Sequence, residues 1–67
     1  MTKLGIFVKE NRLKHGLTQE EFSTRTGLGI RFIRDLEQGK TNLRMDKVNV
    51  ALNFFNYEVG PIRKETE

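Results

Sequence analysis

The 67-residue chain has no cysteine, one histidine, one serine and one proline, and no run of more than three apolar residues. Each scarcity excludes something. Without cysteine there is neither a disulfide nor a thiolate metal site. A single histidine cannot build a His-rich metal centre. Three-residue runs such as Ile6-Phe7-Val8 cannot form a signal-peptide core or a membrane span. A cytoplasmic setting is therefore expected, and the lack of cysteine is compatible with it. Met1 and the charged tail read as the ends of a complete protein. Catalytic groups are equally sparse. Gly27-Leu28-Gly29 lacks the spacing of a phosphate-binding loop. Glu20 and Glu21 are adjacent on a helix and diverge, so they do not form an acid–base pair. No enzymatic activity and no cofactor is expected.

What remains is a composition suited to one small domain, with 36% apolar and 31% charged residues. A chain this short buries only roughly 60% of the surface that it exposes when unfolded. Domains of this size add disulfides, a metal or a partner subunit. With the first two excluded, oligomerisation is expected. The net charge of +3 is unevenly spread. Residues 25–47 hold six basic and three acidic groups, so the excess sits mid-chain. A basic segment suits an acidic partner, most often nucleic acid. Charge alone leaves a merely solvated basic surface equally open.

Periodicity and end signals divide the chain into helices. The first runs from about Thr2 to His15, with Thr2 as N-cap and Leu4, Phe7, Val8 and Arg12 at helical spacing. Lys14, His15 and Gly16 make a basic last turn and a stop. Thr18 to Glu21 matches a capping box, with Leu17 and Phe22 as a hydrophobic staple. This second helix ends near Thr26. A third starts near Gly29 and ends near Gln38, with Ile33, Leu36 and Gly29 on its inner face. Arg31, Arg34, Asp35 and Gln38 point away. The fourth spans Met45 to Phe55 through Val48, Leu52 and Phe55, with Phe54 off the stripe. Asn56 to Ile62 alternates briefly and contains Pro61. A short edge strand needing a partner chain and a frayed tail are both open. Residues 63–67 read as disordered.

The informative unit is Gln19 to Gln38. Two short helices that cross steeply over a brief turn must approach closely at one point. Ser23 is small enough for that approach, Gly27 permits a positive φ in the turn, and Ile33 plugs the second helix onto the first.

Residues 17–39, LTQEEFSTRTGLGIRFIRDLEQG, resemble the helix-turn-helix of the Xre/Cro family of phage-repressor-like DNA-binding domains. Leu17-Thr18-Gln19-Glu20-Glu21, the Ser23/Gly27/Ile33 triplet and Leu36-Glu37-Gln38-Gly39-Lys40 carry the match. It extends from about Gly5 to Phe55 and is similar to the short HipB-type antitoxin regulators of bacteria. The resemblance implies an all-α fold, a compact four- to five-helix bundle, with a short C-terminal strand at a dimer interface as an option. It implies a DNA-binding domain over residues 1–56, with its helix-turn-helix unit at 18–38, and a strand or tail over 57–67. The implied function is a transcriptional repressor that binds a palindromic operator as a homodimer. A toxin-neutralising antitoxin bound to a kinase-like toxin, and a restriction–modification controller, are the alternatives. Gly29 departs from the family pattern, in which Ser or Thr caps the recognition helix.

Site residues follow from chemistry together with the resemblance. Thr18 and Gln19 open the second helix, whose free N–H groups and dipole suit a phosphate. In similar proteins the Gln19 position is a phosphate contact. Helix 29–38 would lie in the major groove. Arg31 suits guanine O6 and N7, and Ile30 a thymine methyl. Asp35 either accepts from cytosine N4 or orients Arg31 or Arg34. Arg34, Lys40, Thr41, Asn42 and Arg44 would position the DNA backbone. Arg12 and Glu37 are expected to form a structural ion pair that ties the first helix to the recognition helix.

Overall fold

Local signals set the helix ends. The computed structural model describes residues 2–57. They form four helices and, among the described residues, no strand. The Thr2 hydroxyl accepts from the Gly5 N–H at 3.0 Å and starts α1, Lys3–Lys14. Thr18 and Glu21 complete the expected capping box of α2, Gln19–Thr26, with reciprocal bonds of 3.0 and 2.8 Å. Gly29 caps α3, Ile30–Gln38, with no side-chain bond. The fourth helix, α4, is Met45–Asn53.

α4 stops two residues short of the expected Phe55. Its last turn tightens, with Phe55 N–H bonding to Leu52 O and Asn56 N–H to Asn53 O, both at 2.9 Å. Asn56 then adopts φ 67°, and the Tyr57 N–H returns to Leu52 O at 3.0 Å. This is a Schellman closure with asparagine in the left-handed position. Asn56 and Tyr57 therefore end a helix and do not begin a strand. The rest of the expected strand and the 63–67 tail lie outside the described residues.

The core gathers one face from every helix. Val8, Phe22, Ile33, Leu36, Val48 and Ala51 are almost wholly buried. Phe22 is its aromatic hub, stacked on Phe55 at 5.3 Å and edge-on to Phe54 at 5.4 Å. Phe54, expected off the stripe, is thus half-buried against α2. Phe32 and Tyr57 also find intramolecular packing, Phe32 at the core edge and Tyr57 edge-on to Phe7 at 4.9 Å.

α3 is the element that α1 and α2 hold in place. Gly27, at φ 80°, turns the chain between α2 and α3 in a region that a side chain would strain. The Ser23 hydroxyl donates to Leu28 O at 2.5 Å across that turn, and buries Leu28 beneath it. Ser23 therefore contributes a hydrogen bond besides its small size. Gly5 marks a close crossing of α1 and α3, because a Cβ there would sit 2.6 Å from Leu36 O and 2.8 Å from Glu37 O. Gly29 does not join this packing as periodicity suggested. It is exposed, and nothing lies within 4 Å of where its Cβ would be.

Candidate nucleic-acid interface

The solvent face of α3 carries the expected residues. Arg31, Arg34 and Gln38 are exposed, and Ile30, Phe32 and Asp35 are half-buried. The opposite face holds Ile33, Leu36 and Glu37 in the core. A helix whose inner stripe is anchored this firmly can present its outer stripe to a groove without rearranging.

Beneath it lies the expected ion pair. Arg12 Nε and Nη2 donate to Glu37 Oε2 and Oε1 at 2.7 and 3.0 Å, a bidentate pair with both residues buried. Arg12 Nη1 also donates to Leu17 O at 2.8 Å, just before the α2 cap. One guanidinium therefore joins α1, the start of α2 and the end of α3. Among the described residues no buried side-chain N or O lacks a partner, so the buried pair leaves no polar atom unsatisfied, and removing either partner would strand the other's charge.

Gln19 sits differently from a simple phosphate donor. Its Nε2 donates to Glu37 Oε1 at 3.1 Å, and its Oε1 faces Arg34 Nε at 3.4 Å. The capping box also claims the Glu21 N–H, leaving the N–H groups of Gln19 and Glu20 at the head of α2. Glu20 and Glu21 place two carboxylates in that first turn.

Two backbone-positioning candidates are already paired. Lys40 Nζ lies 3.6 Å from Asp35 Oδ2, an ion pair beyond hydrogen-bond distance, so Asp35 faces the α3–α4 connection rather than Arg31 or Arg34. Arg44 makes two bonds to Asp46, at 3.2 and 2.8 Å. That hydrogen-bonded guanidinium pulls the Asp46 carboxyl below its ordinary range, against a smaller opposing effect of desolvation. Thr41 and Asn42 are exposed between these pairs. Among the described residues the ion pairs are Arg12–Glu37, Lys40–Asp35 and Arg44–Asp46. Among these residues Arg31 and Arg34 have no carboxylate partner, and they bring positive charge to the face of α3.

Three features of the site escaped sequence reasoning. The close approach at Gly5 carries no sequence signal beyond a glycine inside a helix. The Gln19–Glu37 bond joins residues eighteen apart, and no periodicity signals such a pair. The Arg44–Asp46 pair spans two residues, and the signal that could have found it is opposite charges flanking a helix start.

Among the described residues no group of His, Cys, Asp or Glu forms a metal cluster, and no helix is long and apolar enough to cross a membrane. The helix-turn-helix family model matches residues 8–62, most of the chain and all of α2 and α3. Neither the curated proteins nor the solved structures give a match.

Proposed function

We propose, from the premise that this chain belongs to the Xre/Cro-like helix-turn-helix family of DNA-binding regulators, that it is a repressor acting as a homodimer on a palindromic operator. Residues 1–56 are the DNA-binding unit, and α3 enters the major groove. The observation that carries the docking mode is the pair of arginines without a carboxylate partner, among the described residues, on the outer face of α3, a helix locked from behind by Arg12, Glu37 and the Gly5 crossing. Arg31 reads a guanine and Ile30 meets a thymine methyl. Arg34 and the exposed Thr41 and Asn42 meet the DNA backbone, with Lys40 and Arg44 reaching phosphate when they leave their carboxylates. Thr18 and Gln19 bring the head of α2 to a phosphate.

The homodimer is supported by size and by apolar side chains that the described residues leave exposed. Leu13 is 56% and Tyr57 55% exposed, and Ile6 and Val50 also face solvent. The same exposed side chains suit a toxin, the HipB-type reading. A second copy takes precedence in this reading, because the proposed palindromic operator needs two recognition helices about one DNA turn apart. Bacterial or phage cytoplasm is the setting that this reading implies.

The test is a binding titration with two variants. Arg31→Ala relaxes preference at one base pair per half-site. Lys40→Ala weakens binding to all sequences and lowers the salt slope by about one. Unchanged affinity and sequence preference in both variants would overturn the docking mode.

A further inference from the structure

The hydrogen-bond chain behind α3 has a direction. A carboxylate accepts and never donates. Glu37 Oε1 therefore fixes which way the Gln19 amide faces, with nitrogen inward at 3.1 Å and oxygen outward. The outward oxygen faces Arg34 Nε at 3.4 Å, long for such a bond but aligned to accept it. Glu37 is itself held by two bonds from Arg12. The order Arg12, Glu37, Gln19, Arg34 runs from the core to the exposed face with each donor and acceptor already assigned.

We propose that Glu37 is a positioning residue for DNA contact, which through the oriented amide of Gln19 holds the Arg34 guanidinium by its Nε and leaves both Nη groups to meet a phosphate. This rests on the DNA-binding reading above and refines one part of it. A carbonyl oxygen turned outward repels phosphate and attracts a guanidinium. The main task of Gln19 is thus to anchor Arg34, and phosphate contact by its remaining N–H is secondary. An arginine anchored before binding loses less rotamer freedom on contact. The same buried pair that joins α1 to α3 therefore also sets the readiness of a surface cation.

A double-mutant cycle on duplex affinity tests this, with a mixed-sequence DNA duplex at fixed low salt as the probe. Gln19→Leu keeps the bulk and removes the acceptor. It is expected to weaken binding by about three- to tenfold when Arg34 is present, and by less than about twofold in an Arg34→Ala background. The Arg34 Nε–H resonance is expected to exchange more slowly in the parent protein than in Gln19→Leu or Glu37→Gln. Arg12→Met/Glu37→Met serves if Glu37→Gln unfolds, since it replaces the pair by apolar side chains. Equal losses from Gln19→Leu with and without Arg34, or an Arg34 Nε–H indifferent to Glu37, would overturn the proposal while leaving DNA binding intact. A parent protein that binds no duplex at all would overturn the DNA-binding reading together with it.

Discussion

At the scale of single residues, the buried guanidinium and the buried glycine do the most. Removing one partner of the Arg12–Glu37 pair strands a charge in the core, at roughly 3–5 kcal/mol. A core of this size rarely supplies more than about 3–5 kcal/mol. Arg12→Ala is therefore expected to be largely unfolded by circular dichroism at room temperature, whereas Arg12→Met/Glu37→Met stays folded. Gly5→Ala pits two effects against each other. Alanine favours a helix over glycine by up to about 1 kcal/mol. Its Cβ, however, would lie 2.6 Å from a backbone oxygen that cannot rotate away, and such overpacking costs about 1–3 kcal/mol. A net loss of up to about 2 kcal/mol in urea unfolding is expected, and a gain would show that α1 shifts freely against α3. The ion pair was legible in the sequence through a family resemblance. The glycine contact was not, because a missing side chain leaves no mark on hydrophobic periodicity.

At the scale of elements, two glycines of one turn predict opposite outcomes. Gly29 has helix-cap geometry, φ −66° and ψ 147°, and open space around its Cβ. Gly29→Ser adds a cap and stiffens the unfolded chain, a gain of about 0.5 kcal/mol. Gly27→Ser forces a side chain to φ 80°, a loss of about 1 kcal/mol or more. Thermal midpoints that move in the same direction for both would contradict this account of the turn. At the head of α4, Arg44 holds the Asp46 carboxyl below its ordinary 3.8. A depressed carboxyl contributes stability above its ordinary value and loses it as the pH falls through the lowered one. Nuclear magnetic resonance titration should show Asp46 returning toward 3.8 in Arg44→Ala. Both residues are mostly exposed, so little stability changes with it. Caps, glycine stops and the inner face of α3 were readable because they depend on neighbours within one or two turns. The early end of α4 was harder to read, since it depends on Asn56 accepting a left-handed conformation. The Gln19–Glu37 bond was harder still, since the partners meet only once α2 and α3 have packed.

At the scale of the molecule, the four helices of the described residues present one arginine-bearing face, and those residues leave a set of apolar side chains exposed. The first suits DNA and the second a protein partner, and a dimeric repressor uses both. Sedimentation equilibrium should find a dimer, and Leu13→Lys is expected to shift it toward monomer if α1 lies at the contact. The most direct measurement is a selection from a genomic DNA library with the purified protein at one stated salt concentration, followed by salt titration on the best site. The account predicts enrichment of one inverted repeat with half-sites about one helical turn apart, lost when Arg31 is replaced by alanine. Weak binding to every sequence, steeply dependent on salt, would contradict it: α3 would then be a basic surface that reads no bases by itself.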